Sequence, residues 1–181
     1  MKFTAPRGTQ DILPEESSIW QHIERTAAGV FERFGFREIR TPIFEQTELF
    51  LRSIGADTDI VEKEMYTFQD KKGRSMTLRP EGTASIIRAY LEHHLDAQED
   101  ILKVWYQGPM FRYERPQAGR FRQFHQMGCE VVGTQSPLAD AELIQLSVKV
   151  FSDLGLQELE VSVNSVGCPV CRPVIRERLK S

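Results

Sequence analysis

Ile101-Leu102-Lys103-Val104-Trp105-Tyr106-Gln107-Gly108-Pro109-Met110-Phe111-Arg112-Tyr113-Glu114 and Phe121-Arg122-Gln123-Phe124-His125-Gln126-Met127-Gly128-Cys129-Glu130-Val131-Val132 are the two runs on which the fold turns. The first is apolar from Ile101 to Tyr106, is broken by Gly108-Pro109 and resumes as an alternating pattern; the second alternates throughout. A period of two sends successive side chains to opposite faces of a strand. Two antiparallel strands joined by the loop Arg115-Pro116-Gln117-Ala118-Gly119 are the simplest reading. Arg112 and Glu114 then point one way and Phe111 and Tyr113 the other, while Arg122, Gln126 and Glu130 share a face opposite Met127, Cys129 and Val131.

A solvated sheet surface usually carries Lys, Thr and Glu in no special order. This face carries Arg, Gln and Glu, with Gly128 where a missing side chain lets a ligand approach the backbone, and it reads as a pocket floor. Arg112, Arg115, Arg120 and Arg122 stand against Glu114 alone, on a chain whose 23 Lys plus Arg and 26 Asp plus Glu leave a net charge of −3. A blanket basic coat for nucleic acid is excluded, so phosphate recognition must be local. Forked guanidinium donors suit a triphosphate held between strands and loop, although an ion-pair network or an RNA backbone contact would use the same charges.

Upstream, Leu78-Arg79-Pro80-Glu81-Gly82-Thr83 places a carboxylate and a hydroxyl at a helix start. Thr83 is the expected cap of a helix carrying Ile86, Ile87, Tyr90 and Leu91. Glu81 either serves the helix dipole or, with Thr83 and Gln126, forms an acceptor cluster for an ammonium group, which has three donors and no acceptor.

Further out, Pro14 to Gly35 has helical periodicity of about five turns, with Trp20 and the Phe residues on the core side. Phe36 to Pro42 reads as a short edge strand, and Met65–Gln69 and Ser75–Arg79 as a hairpin around Asp70-Lys71-Lys72-Gly73. Ser136-Pro137 to Gly155 is a third helix, Glu158–Val163 a strand, and Pro173 starts a helix that meets no stop signal before Ser181. His22, His93 and His94 read as surface residues.

The 181 residues are 40% apolar and 27% charged, which excludes disordered and fibrous classes. No run approaches the roughly 18 apolar residues of a membrane span, and Met1–Gln10 lacks a signal-peptide core, so the expectation is a cytoplasmic protein. Cys129, Cys168 and Cys171 are too few for a disulfide framework. The lone Cys168-Pro169-Val170-Cys171 lacks the four ligands of a zinc site, so structural thiols and no protein-bound structural metal are expected.

With these residues in view, Gly35-Phe36-Arg37-Glu38-Ile39-Arg40-Thr41-Pro42 resembles motif 1 of class II aminoacyl-tRNA synthetases. Phe111-Arg112-Tyr113-Glu114 through Arg120-Phe121-Arg122-Gln123-Phe124-His125-Gln126 resembles their motif 2. With Pro6-Arg7-Gly8-Thr9, Glu62-Lys63-Glu64-Met65-Tyr66, Leu78 to Thr83 and Gly128-Cys129-Glu130, the resemblance is to the histidyl-tRNA synthetase family and spans nearly the whole chain.

The resemblance implies an α+β fold, a mainly antiparallel sheet flanked by helices. It implies a truncated class II catalytic domain over 1–163 and the start of an insertion domain over 164–181, with motif 3 and the anticodon-binding domain absent. The implied reaction joins histidine to ATP as histidyl-adenylate, with Mg2+, and transfers it to tRNA(His), in a protein that is a homodimer through the strand around Pro42; this chain alone would be weakly active or inactive. The resemblance gives Arg112, the catalytic residue, the ATP α-phosphate and the substrate carboxylate, Glu114 the adenine amino group and Arg120 the γ-phosphate. It assigns Glu81, Thr83 and Gln126 to the α-amino group of histidine and Glu130 to its imidazole. Such chemistry depends on alignment and on neutralising charge at phosphorus, so His125 is not expected to be a general base. The competing readings are a non-catalytic paralogue, such as the regulatory subunit of ATP phosphoribosyltransferase, and an RNA-binding module. Retention of Arg112, Glu114 and Arg120 argues against the paralogue.

Overall fold

The computed structural model describes residues 3–54, 64–115, 117, 119–164 and 171–180. Glu62, Lys63, Pro116, Ala118 and Cys168 lie outside the described residues. Helix α1, Pro14–Arg33, opens with proline and has Glu15 and Glu16 in its first turn, where the helix dipole favours them. It ends because Gly35 adopts φ 79°, letting the Gly35 and Phe36 N–H groups reach the carbonyls of Glu32 and Phe31 at 2.9 and 3.0 Å. Helix α4, Pro137–Asp153, starts from a Ser136 cap and stops the same way at Gly155, with φ 86°. α1 and α4 lie together on one sheet face, joined at their C-terminal ends by Arg33–Asp153 at 2.7 Å.

That sheet has the order β1-β5-β6, from β1 Arg37–Glu38, β5 Leu102–Phe111 and β6 Gln123–Val132. β5 and β6 pair antiparallel over ten residues each, from Leu102 opposite Val132 to Phe111 opposite Gln123. β1 runs parallel to β5, shorter than the seven-residue strand expected, because only Arg37 and Glu38 pair in register with it, opposite Val104 and Trp105, before the chain turns toward Pro42. β5 runs through Gly108-Pro109 without a break. The Ile39 N–H reaches the Trp105 carbonyl at 2.9 Å and the Phe111 N–H reaches the Arg79 carbonyl at 3.0 Å, so odd-numbered β5 residues turn their backbone groups away from β6. Pro109 therefore lacks its donor where the ladder does not need it.

The second sheet is antiparallel, in the order β2-β4-β3: β2 Phe44–Gln46, β3 Thr67–Gln69 and β4 Ser75–Leu78, the last two forming the expected hairpin. Helix α2, Thr47–Ile54, is an element the sequence reading did not anticipate; α3, Thr83–Glu92, and a 3-10 turn at Leu95–Ala97 follow the sheet. Helix α5, Cys171–Lys180, begins two residues before Pro173.

Two core clusters cover the two faces of the first sheet. Trp105, Phe31, Phe36 and Leu146 pack with Met127, Cys129 and Val131 on one side, and Leu102, Val104, Tyr106, Met110 and Ile86 with Phe124 and Val132 on the other. The alternation read from sequence is thus the division of the core. Two expectations fail. Trp20 is half-buried at the periphery, its ring 4.7 Å from that of His125, with Ile19 beside it 61% exposed. The segment 158–163 is not a strand: Glu158 turns at φ 58° and no described strand lies alongside to supply a ladder.

Candidate functional site

The N-terminus of α3 meets the β5–β6 sheet at the ring of Tyr106. A Cβ on Gly82 would stand 2.2 Å from that ring and one on Gly128 2.5 Å from it, so two glycines form the slot. Gly128 is therefore bare to admit Tyr106 rather than a ligand, which corrects the sequence reading. Around the phenol, the Gln126 amide Nε2 donates to the Tyr106 hydroxyl at 3.2 Å, and the Thr83 hydroxyl donates to Glu130 Oε1 at 2.7 Å.

Thr83 is not the cap of α3. Its hydroxyl is turned to Glu130, and Glu81 caps instead, accepting the backbone N–H groups of Thr83 at 2.6 Å and Ala84 at 3.0 Å. A carboxylate fits that position because the orphan donors of the first turn carry partial positive charge. Glu81 serves the helix dipole and faces the cluster at once.

The electrostatics of the cluster call for a cation. Burial raises the Glu130 carboxyl above the ordinary glutamate range; the Thr83 hydrogen bond opposes this and the charge on Glu81 adds to it. Burial, with Glu130 and then Glu81, pushes the Tyr106 phenol up to about 12. Gln126 Oε1 is buried with no partner among the described residues. Two carboxylates, a hydroxyl oxygen and an unpaired amide oxygen form a set of acceptors that a donor-only group would satisfy.

Arg112 borders this cluster just past the end of β5. Its Nε donates to the Pro80 carbonyl at 2.9 Å, its guanidinium stacks 5.1 Å from the Phe124 ring, and its Nη1 stands 4.0 Å from Glu114. Arg120, its side chain 65% exposed, approaches Glu114 from the loop at 3.6 Å. Glu114 thus sits between the two guanidinium groups. Arg122 is committed to structure: it donates to the carbonyls of Glu114 (3.2 Å) and Arg7 (3.4 Å) and stacks on Tyr113 at 4.1 Å. Gly8 is bare because a Cβ there would lie 2.8 Å from Arg122.

Tyr106 and Arg79 escaped the sequence reading. Tyr106 looked like one more apolar residue of β5, though its parity with Gln126, Gly128 and Glu130 was readable. Arg79 is 5% exposed and donates to the Pro109 carbonyl (3.0 Å), the Thr41 carbonyl (3.1 Å) and the Thr41 hydroxyl (3.3 Å). Following directly on β4, it ties the end of that strand to β5 and to the Thr41 segment between β1 and β2. His125 lies on the opposite sheet face, against Trp20.

An open groove of about 920 Å³ between α2 and α3 adjoins Glu81 and Thr83 and is lined also by Leu49, Arg52 and Arg88. Among the described residues no group of three or more His, Cys, Asp or Glu is placed to hold a metal, and no helix is long and apolar enough to cross a membrane.

The family profile described as histidyl-tRNA synthetase matches residues 8–176. A histidine–tRNA ligase of Dictyoglomus thermophilum is 59% identical over 181 residues, all of this chain and 44% of the relative. One of Halothermothrix orenii is 60% identical over 99% of this chain and 43% of its own length. The solved structure of apo histidyl-tRNA synthetase from S. aureus superposes with a TM-score of 0.81 at 42% identity, covering 98% of this chain and 41% of that one. The chain spans less than half the length of these relatives.

Proposed function

The chain belongs to the histidyl-tRNA synthetase family, and from that premise we propose that it carries the histidine pocket and part of the ATP site of a histidine–tRNA ligase. The carboxylate of histidine attacks the α-phosphorus of ATP, pyrophosphate leaves, and the resulting histidyl-adenylate passes its histidyl group to the 3′ end of tRNA(His). Mg2+ would come in as part of the nucleotide substrate and would offset charge on its phosphates.

The observation that carries this reading is the convergence of Glu81, Thr83, Gln126 and Glu130 on one sheet face at the start of α3. Glu81, Thr83 and Gln126 take the α-ammonium group, and Glu130 takes an imidazole N–H. An apolar amino acid of similar size would leave the half-buried Glu130 without that partner, so selection is polar rather than steric. Arg112, adjoining the cluster through Pro80, aligns the carboxylate with the α-phosphate and offsets negative charge in the transition state. In this reading Glu114 meets the adenine amino group, and Arg120 exchanges its contact with Glu114 for the γ-phosphate.

The proposal includes residues 1–163 as part of the catalytic domain, 164–181 as the start of an insertion, and a cytoplasmic homodimer. Exposed Ile43, Phe44 and Phe68 near Pro42 support the dimer. The test is amino-acid-dependent ATP–pyrophosphate exchange by a full-length protein containing these residues. Exchange with histidine alone is expected; exchange with none of the amino acids, or with a different one, overturns the reading.

A further inference from the structure

The ladder between β5 and β6 ends on a divided pair. Arg112 stands opposite Arg122, one step beyond Phe111 and Gln123, and two residues so placed in an antiparallel ladder exchange both of their backbone hydrogen bonds. The Arg112 N–H does donate to the Arg122 carbonyl, at 2.9 Å, but the Arg122 N–H turns away to the Gly8 carbonyl at 2.7 Å. The Arg112 carbonyl accepts instead from the Glu114 N–H at 2.8 Å, in a three-residue turn that folds Glu114 back. The N-terminal segment has thus taken a place in the ladder, and the chain leaving β5 curls away from it. The side chain of Arg122 closes the arrangement. Its Nε donates to the Glu114 carbonyl at 3.2 Å, its Nη1 to the Arg7 carbonyl at 3.4 Å, and its guanidinium stacks on the Tyr113 ring at 4.1 Å. The turn it grips is built to receive it: the Thr9 N–H and hydroxyl both donate to the Pro6 carbonyl, at 3.0 and 2.8 Å, and Gly8 sits at φ 85° against the Arg122 side chain.

We propose that Arg122, gripping the Pro6–Thr9 turn, is the positioning residue of the nucleotide site: it fixes the backbone of Tyr113 and Glu114 so that the Glu114 carboxylate is held ready for the amino group of the base. This rests on the reading of Glu114 as the acceptor for that group. The carboxylate stands 3.6 Å from Arg120 and 4.0 Å from Arg112, beyond hydrogen-bond distance from either, so those guanidinium groups do not fix where it lies. Its backbone does, and that backbone is held by the Arg112 carbonyl on one side and by Arg122 on the other. Arg122 spends its donors on carbonyls and its face on Tyr113, so it acts through Glu114 rather than on the ligand. A carboxylate held at one point discriminates between a base that offers an amino donor there and one that offers a carbonyl acceptor, because the second leaves two acceptors facing each other.

Arg122→Met keeps the aliphatic stem and removes the donors. In ATP–pyrophosphate exchange by the full-length protein, the KM for ATP is expected to rise roughly tenfold, the contribution of one hydrogen bond from a charged donor, with the KM for histidine unchanged. The preference for ATP over inosine triphosphate, which carries a carbonyl in place of the amino group, should fall by a similar factor. Arg122→Lys keeps a charged donor and should recover part of both. Gly8→Ala should have the same selective effect, since its methyl group would lie 2.8 Å from the Arg122 stem and push it aside. Because both positions act through Glu114, neither Arg122→Met nor Gly8→Ala should add to Glu114→Ala. An unchanged KM for ATP in either variant, an equal rise in the KM for histidine, or effects that multiply with Glu114→Ala overturns the proposal. Wild-type protein that uses the two nucleotides equally, or a Glu114→Ala variant that still discriminates, overturns the reading of Glu114 instead. Should the variants not fold, the wild-type protein still decides. ATP, but not histidine, should slow hydrogen exchange at the Thr9 amide, which is bonded within the turn, and exchange that ATP leaves unchanged overturns the proposal.

Discussion

Replacing Arg79 with methionine should loosen the junction between the two sheets. The guanidinium makes three hydrogen bonds, to Pro109 and to the carbonyl and hydroxyl of Thr41, in a place where the residue is 5% exposed. A bond from a charged donor contributes about 1.5–3 kcal/mol, so the three amount to about 4.5–9 kcal/mol before the cost of burying the charge. That cost is several kcal/mol for a buried ion. Methionine has similar length and no charge, so it recovers the desolvation and strands the carbonyls of Thr41 and Pro109. The net loss is about 3 kcal/mol, a fall in Tm of roughly 6–12 °C for a chain of this size. Thermal unfolding followed by circular dichroism measures it. Arg79→Lys, which keeps the charge and loses the fork, should fall between methionine and wild type. A Tm within about 2 °C of wild type for Arg79→Met would refute the argument that this arginine joins the sheets.

Other perturbations test the site itself. Arg112→Ala should abolish adenylate formation, measured by pyrophosphate exchange in the full-length protein, whereas Glu130→Ala should mainly raise the KM for histidine. Gly128→Ala should destabilise the fold by about 1–3 kcal/mol, read from urea unfolding, because its methyl group meets the Tyr106 ring within 2.5 Å. The Glu130 carboxyl lies above its ordinary value mainly through burial, so the folded state holds this proton more tightly than the unfolded one. Stability is lost as pH rises from the ordinary glutamate value of about 4.3 through the raised folded value. Glu130→Gln should therefore be more stable than wild type at neutral pH, with the advantage vanishing below about pH 4, while binding histidine less well. Equal pH profiles of Tm for the two proteins would contradict this.

Much of the site was legible because a strand sorts residues by parity. Gln126 and Glu130 had to share a face whatever packed above them, whereas Arg112 joins that face on the neighbouring strand through the register of β5 on β6. Helix ends were equally legible, since Gly35 and Gly155 occupy the left-handed conformations that end α1 and α4. Trp20 misled because helical periodicity locates a face but not how far along the helix its partner extends; α4 covers Ala27 to Phe31 and leaves the first turns open. The segment 158–163 misled because a strand exists only where a neighbour supplies hydrogen bonds.

Sequence by itself determined the family, through the resemblance of its motifs, and the antiparallel pair at the centre of the fold with the set of polar residues on its face, because these last two are written in local spacing. Only the tertiary structure decided that Glu81 rather than Thr83 caps α3, that Gly82 and Gly128 exist for the ring of Tyr106, and that Arg79 spans two sheets. Those facts depend on which side chain reaches a given donor or void first once the elements are packed. That competition is settled between residues far apart in the chain, and no pattern within a single segment records it.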